Sequence, residues 1–149
     1  MGLVQKDVTS HYGQIYSFGR VFAPFRPPFR TIVDSGIRVG AGTDASAVTP
    51  LSPWLSIYYM VTGVNVNGDL VNGEQQLSRE EALRLYTTGS AWFTFDQDEL
   101  GSIEPGKLAD LVVLDKDYLS VSNEELRKLR SLLTMVGGKV VYADEAFLE

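Results

Sequence analysis

A chain of 149 residues with 44% hydrophobic content is long enough for one domain of ordinary core density and too apolar to stay disordered. Its 19 acidic and 13 basic residues leave a net charge of −6, which argues against nucleic acid or an anionic membrane as partner, since both demand clustered Lys and Arg. The absence of cysteine excludes a disulfide framework, a thiol nucleophile and a structural zinc knot, and it fits a reducing compartment.

Residues 1 to 28 are aromatic-rich and punctuated by Gly13, Gly19, Pro24, Pro27 and Pro28, so the segment reads as a long loop with at most a short strand at Leu3-Val4-Gln5. Its rings, Tyr12, Tyr16, Phe18, Phe22 and Phe25, together with Phe29, either line a substrate mouth or form surface that a larger body covers; the second reading is preferred. His11 has no second histidine to pair with and is read as a loop residue. Pro28 opens a short helix with Phe29, Ile32 and Val33 on one face, and Gly36 stands where a left-handed cap is wanted. The apolar run Ile37 to Gly42 then reads as a buried strand that ends at Thr43-Asp44.

Between Ala45 and Leu77 the periodicity weakens: Pro50 and Pro53 bracket a turn, Trp54 to Val61 fits a helix, and Asn65-Val66-Asn67-Gly68-Asp69 reads as loop. Ser78 and Glu81 form a capping box, with Leu77 stapled to Ala82, ahead of a helix from Arg79 to about Phe93. Farther on, Leu108 to Leu114 is a strand, and Ser122 with Glu125 repeats the capping box for a helix through about Arg130. Leu132 to Val136 and Lys139 to Tyr142 flank the two-residue link Gly137-Gly138 as a hairpin. Asp110 and Asp115, flanking the strand, read as turn and edge residues.

No apolar stretch reaches the roughly 18 residues of a membrane span, and the N-terminus lacks a basic region followed by an apolar one, so the expectation is a cytoplasmic chain with no membrane partner. Gly40 and Gly42 are not followed by the rest of a phosphate loop; glycines in such a strand permit close packing or ligand approach instead. Asp44 is the residue that carries chemistry, because a carboxylate at the C-terminal tip of a strand is where α/β enzymes place catalytic groups. Taken alone, Gly42-Thr43-Asp44 also fits a plain turn or helix cap.

The stretch Leu100-Gly101-Ser102-Ile103-Glu104-Pro105-Gly106-Lys107-Leu108-Ala109-Asp110-Leu111-Val112-Val113-Leu114-Asp115 resembles the C-terminal signature of metal-dependent amidohydrolases, and Val136-Gly137-Gly138-Lys139-Val140-Val141-Tyr142 belongs to the same pattern. Gly36-Ile37-Arg38-Val39 to Asp44, then Ser78-Arg79-Glu80-Glu81-Ala82-Leu83 and Tyr86-Thr87-Thr88-Gly89-Ser90-Ala91, are most similar to the amidohydrolase 3, or YtcJ-like, branch. The resemblance runs from about Phe29 to the C-terminus. After Asp44 the chain reads Ala45-Ser46 where that branch usually has Trp-Pro.

The resemblance implies an α/β fold: the C-terminal fragment of a (β/α)8 barrel, contributing its last one or two βα units, plus part of a small composite β-domain. Residues 1–98 would be the partial barrel segment, with strands seven and eight and the last helix, and residues 99–149 the composite-domain part. It implies a hydrolase of carbon–nitrogen bonds that uses a divalent metal, zinc by preference, in which Asp44 binds metal and accepts a proton from the metal-bound water. The His-x-His pair, the bridging Lys or carboxylate and the two later histidines of the family have no counterparts in this chain. An isolated chain is therefore expected to hold no metal and to be inactive, and its partner would be the missing N-terminal barrel half or a second copy of itself in a homo-oligomer. The alternative is a non-catalytic assembly or ligand-binding module built on the same scaffold.

Overall fold

The computed structural model describes residues 27–43, 52–65 and 67–148. Helix α1, Phe29–Asp34, follows Pro28 as N-cap, and it ends where the Gly36 amide donates to Val33 O with Gly36 at φ 75°. Helix α2, Pro53–Thr62, begins with Pro53 at its first turn, where a missing N–H costs nothing, and ends on Gly63 in the left-handed region. It buries Ser56, Ile57, Tyr58, Tyr59, Met60 and Thr62, so it is apolar almost all round and forms the centre of the molecule.

Helix α3, Arg79–Tyr86, carries both halves of the capping box: Ser78 Oγ accepts from the Glu81 amide at 3.1 Å, and Glu81 Oε2 accepts from the Ser78 amide at 2.7 Å. Leu77 and Ala82 are both buried in the same core cluster, as a staple requires. The expected single helix to Phe93 is two: at Thr87 the backbone turns to φ −113°, ψ −94°, and helix α4, Thr88–Phe93, sets off anew. Thr87, Thr88 and Gly89 are weak helix formers, and the Thr87 hydroxyl bonds back to Leu83 O at 3.0 Å, a habit that bends helices.

Strands β1, Leu111–Leu114, β2, Ser131–Val136, and β3, Lys139–Ala143, make an antiparallel sheet in the order β1-β2-β3. The β2–β3 link is Gly137 at φ 56° and Gly138 at φ 78°, both positive, as a two-residue hairpin of the primed type needs. Helix α5, Asn123–Leu126, is a single turn rather than a helix through Arg130: past it the Lys128 amide bonds Glu125 O, three residues back, and the Arg130 amide goes to Asp115 Oδ1. Only half of the second capping box forms. Ser122 Oγ accepts from the Glu125 amide, whereas the Glu125 carboxylate is taken by Lys116. Helix α6, Glu145–Leu148, closes the described chain.

One core cluster gathers Phe29, Ile57, Tyr59, Met60, Leu77, Ala82, Tyr118, Leu126 and Leu129, drawing on residues from both sides of the expected boundary near residue 98. Met60 and Leu126 are 0% exposed. Phe29, one of the rings read as outer surface, is buried and meets Tyr59 edge to face at 6.0 Å. The sheet differs: Val112 and Val113, adjacent in β1, are both exposed, as are Val140 and Val141 in β3. Since adjacent strand residues face opposite ways, both faces of this sheet carry uncovered apolar side chains.

The run Ile37 to Gly42 departs from the expected buried strand. Among the described residues no strand pairs with it, and Ile37 is 66% exposed. A parallel strand is stabilised by neighbours on both sides, and the described chain supplies none.

Candidate functional site

Asp44, the expected catalytic and metal-binding residue, lies outside the described residues, as do His11, Leu3-Val4-Gln5 and the rings from Tyr12 to Phe25. What the structure does describe is the segment that leads to Asp44, residues 39 to 43, and the elements that hold it.

That segment lies against the junction of α3 and α4. The Ala41 amide donates to Leu85 O at 2.8 Å. Ser90 Oγ lies 2.9 Å from both Ala41 O and Leu85 O, so its one proton is shared between the two carbonyls, the second of which also accepts from the Ala41 amide. Two glycines allow the approach: a Cβ on Gly89 would fall 2.3 Å from Val39 O, and one on Gly40 would fall 2.9 Å from the Phe93 ring and 3.1 Å from the Gly89 carbonyl. Gly40 thus serves close packing rather than a phosphate. Arg38 extends over the Trp92 ring at 5.0 Å, a third link to α4. The break at Thr87 is what turns Gly89 and Ser90 toward the segment, so a bend the sequence did not announce positions the arm ahead of Asp44.

Helix α3 is itself braced. The Arg30 guanidinium forks onto both oxygens of Glu81, one contact measuring 2.9 Å, and also donates to Asp34 Oδ1 at 3.0 Å. That fork, helped by the Ser78 amide, holds the Glu81 carboxyl down at about 2, and Arg30 is pushed above its ordinary range by the same pair. At the other flank Arg79 donates to Tyr118 O, Val121 O and Asn123 Oδ1. The Tyr118 phenol is pushed up to about 12, chiefly by burial and against the pull of the Arg79 charge. The Tyr86 hydroxyl is buried without a partner in hydrogen-bond geometry among the described residues; burial raises it, and Ser56 stands close enough to oppose that slightly.

The signature from Leu100 to Asp115 resolves into structural parts. Lys107 Nζ donates to Gln97 O, Leu100 O and Ser102 Oγ, at 2.8, 3.2 and 2.7 Å, and so closes the turn from within. Gly101, at φ 91°, sits where a Cβ would strike Ala91 Cβ at 2.9 Å. Asp110 Oδ1 accepts from the Gly137 amide and Asp115 Oδ1 from the Arg130 amide, which are turn and edge duties. Arg79, Ser90 and Tyr118 were not singled out from the sequence; a polar residue that bonds across dozens of positions leaves no local mark.

Among the described residues no three His, Cys, Asp or Glu side chains group to hold a metal ion. The whole chain has one histidine and no cysteine, whereas a catalytic zinc takes three protein ligands. The residues described here therefore do not fit a metal site of their own. No helix among the described residues is long and apolar enough to cross a membrane.

Known proteins resemble the chain over most of its length. The model of the Amidohydrolase family matches residues 6–142. The chain is 32% identical over 145 residues to N-substituted formamide deformylase of Arthrobacter pascens, covering 91% of this chain and 27% of that protein. It is 32% identical over 117 residues to the putative amidohydrolase YtcJ of Bacillus subtilis (strain 168), covering 76% of this chain and 22% of that one. Among solved structures, an uncharacterized metal-dependent hydrolase from Pyrococcus furiosus superposes with a TM-score of 0.53 at 38% identity, over 66% of this chain and 19% of the other. The chain spans about a quarter of the length of the curated relatives it matches. With the match running through the 39–43 arm, the α3 capping box, the Lys107 turn and the Gly137-Gly138 hairpin alike, this mixed α/β chain belongs to the amidohydrolase family.

Proposed function

We propose that this chain is the C-terminal portion of a metal-dependent hydrolase acting on carbon–nitrogen bonds other than peptide bonds, that it contributes Asp44 to the active site, and that by itself it does not turn over. One observation carries the reading: the family match covers residues 6–142, yet the chain amounts to 27% and 22% of two relatives' lengths. A closed (β/α)8 barrel takes about 250 residues, so the last one or two βα units need the rest of the barrel to close. The division into a barrel segment, 1–98, and a composite-domain part, 99–149, belongs to the same proposal.

The chain's own residues support a positioning role. The Ala41–Leu85 bond, the Ser90 hydroxyl and the Gly40–Gly89 contact hold the arm that precedes Asp44 against α3 and α4. A divalent metal, zinc by preference, would rest mainly on donors from the remainder of the parent protein, with Asp44 as this chain's contribution. The deformylase relative suggests N-substituted amides as the substrates to try first. The uncovered apolar side chains of the sheet point to a partner there, either the missing portion or a second copy of this chain.

The test is to read the coding frame upstream of Met1, express its full product beside the 149-residue chain, and measure metal content and hydrolysis of N-substituted formamides. The full product is expected to hold metal and to lose about 100-fold or more of its activity on Asp44→Asn. Stoichiometric zinc and turnover in the 149-residue chain alone would overturn the proposal, and a frame with no His-x-His half would favour the non-catalytic module.

A further inference from the structure

The chain contains two Asn-Gly dipeptides within one short loop region, Asn67-Gly68 and Asn72-Gly73, and the fold treats them in opposite ways. Asn-Gly is the pair most open to intramolecular imide formation, since glycine puts no Cβ in the path of its own backbone nitrogen. Whether the reaction proceeds depends on the freedom of the side chain and of the following peptide.

Asn67 is exposed, within an exposed run from 67 to 70. Gly68 takes φ 92° with nothing within 4 Å of the place a Cβ would occupy, so space surrounds the pair. The Gly68 amide donates to Asn65 O at 3.1 Å, a bond from an exposed loop position to a buried residue that local opening must break before the nitrogen can attack. Asn72 is held on every side. It is 7% exposed, its side-chain amide donates to Pro27 O at 3.0 Å, its backbone amide donates to Gly63 O at 3.0 Å, and its carbonyl accepts from the Gln75 amide at 3.2 Å. The Gly73 nitrogen lies 3.0 Å from where a Cβ on Gly63 would stand, packed against the end of α2.

We propose that Asn67 is a site of spontaneous deamidation in the folded protein and that Asn72 is protected from it. The Gly68 nitrogen, its proton given up to base, attacks the Asn67 side-chain carbonyl carbon. A C–N bond forms, closing a five-membered imide, and the side-chain nitrogen leaves as ammonia. Water then adds to one ring carbonyl and breaks its bond to nitrogen, giving aspartate or the isoaspartyl linkage at position 67. No oxidant or cofactor takes part.

The product changes a built feature of the fold. Asn65 is 1% exposed, and its Oδ1 accepts from the amides of Asn67 and Asp69, both at 2.9 Å, while its Nδ2 donates to Asp69 Oδ2 at 3.2 Å. An isoaspartyl link inserts an extra backbone atom between the two amides that Asn65 gathers, and the new carboxylate adds negative charge near Asp69. The loop at the C-terminal end of α2 loses its central bracket.

The experiment incubates the purified chain in mildly alkaline buffer, folded and in urea, and follows conversion at each position by tandem mass spectrometry. In the folded chain Asn67 is expected to convert at least about tenfold faster than Asn72, and in urea the two rates should come within about twofold, because the protection is local structure. Equal rates in the folded chain, or no conversion of Asn67 there whatever happens in urea, would overturn the proposal.

Discussion

Arg79 and Tyr118 hold one another reciprocally: the Tyr118 hydroxyl donates to Arg79 O at 2.6 Å, and the Arg79 guanidinium donates to Tyr118 O, also at 2.6 Å. The pair ties the first turn of α3 to the loop before α5, and the Tyr118 ring lies in the shared core beside Trp54 at 5.9 Å. Tyr118→Phe removes one donor to Arg79 O, which as the first carbonyl of α3 keeps its intrahelical bond, and it keeps the ring, so it should cost about 0.5–1.5 kcal/mol in urea unfolding. Arg79→Ala frees two further acceptors, Val121 O and Asn123 Oδ1, and should cost at least as much. The phenol is raised from 10.0 to about 12 on folding, so the stability it lends is complete below pH 10.0 and fades as pH climbs through about 12. Phenolate absorbance should therefore show late-titrating tyrosines, Tyr58 and Tyr86 among them, and Tyr118→Phe should delete one of the late transitions.

Glu81 runs the opposite way with pH. Its carboxyl is held down from 4.5 to about 2, first by Arg30 and then by the Ser78 amide, so its contribution is present above pH 4.5 and lost as pH falls toward about 2. Glu81→Gln should lower stability at neutral pH, and the gap to the parent chain should shrink across that acid window. A gap constant with pH, measured by denaturant titration, would contradict the fork as its source.

Ser90 and Gly89 should control the arm ahead of Asp44. Ser90→Ala removes the shared proton, and Gly89→Ala places a Cβ 2.3 Å from Val39 O, against backbone that cannot swing aside. Overpacking of this kind costs about 1–3 kcal/mol. Hydrogen exchange at the Ala41 amide, which bonds Leu85 O, should quicken in both variants and more in Gly89→Ala. Unchanged exchange would mean that the segment is held by something else.

The sheet should drive association of the isolated chain. Val113 on β1 and Val140 on β3 are exposed on strands that form the two edges of the sheet. Sedimentation at micromolar concentration should show species larger than the monomer, and Val113→Lys with Val140→Lys should shift the distribution toward it, since charge on an edge strand opposes pairing. A parent chain that sediments as a compact monomer would contradict this.

The amino-acid sequence by itself determined what is local. Ser78 and Glu81 are three apart, so their capping box is written in one helical turn; Gly137 and Gly138 both accept positive φ, so the hairpin follows; Pro53 and Gly63 bracket α2 for the same kind of reason. The family signature was legible because it is a contiguous run. Tertiary structure decided what the weak helix formers Thr87, Thr88 and Gly89 left open, that the helix breaks there with Gly89 and Ser90 against Val39 and Ala41, and that α5 is one turn, because Asp115 takes the Arg130 amide. It also decided that Ile37 to Gly42 is no strand among the described residues: apolar alternation records a side chain's preference for burial, whereas a strand exists only where a neighbour offers its amides and carbonyls.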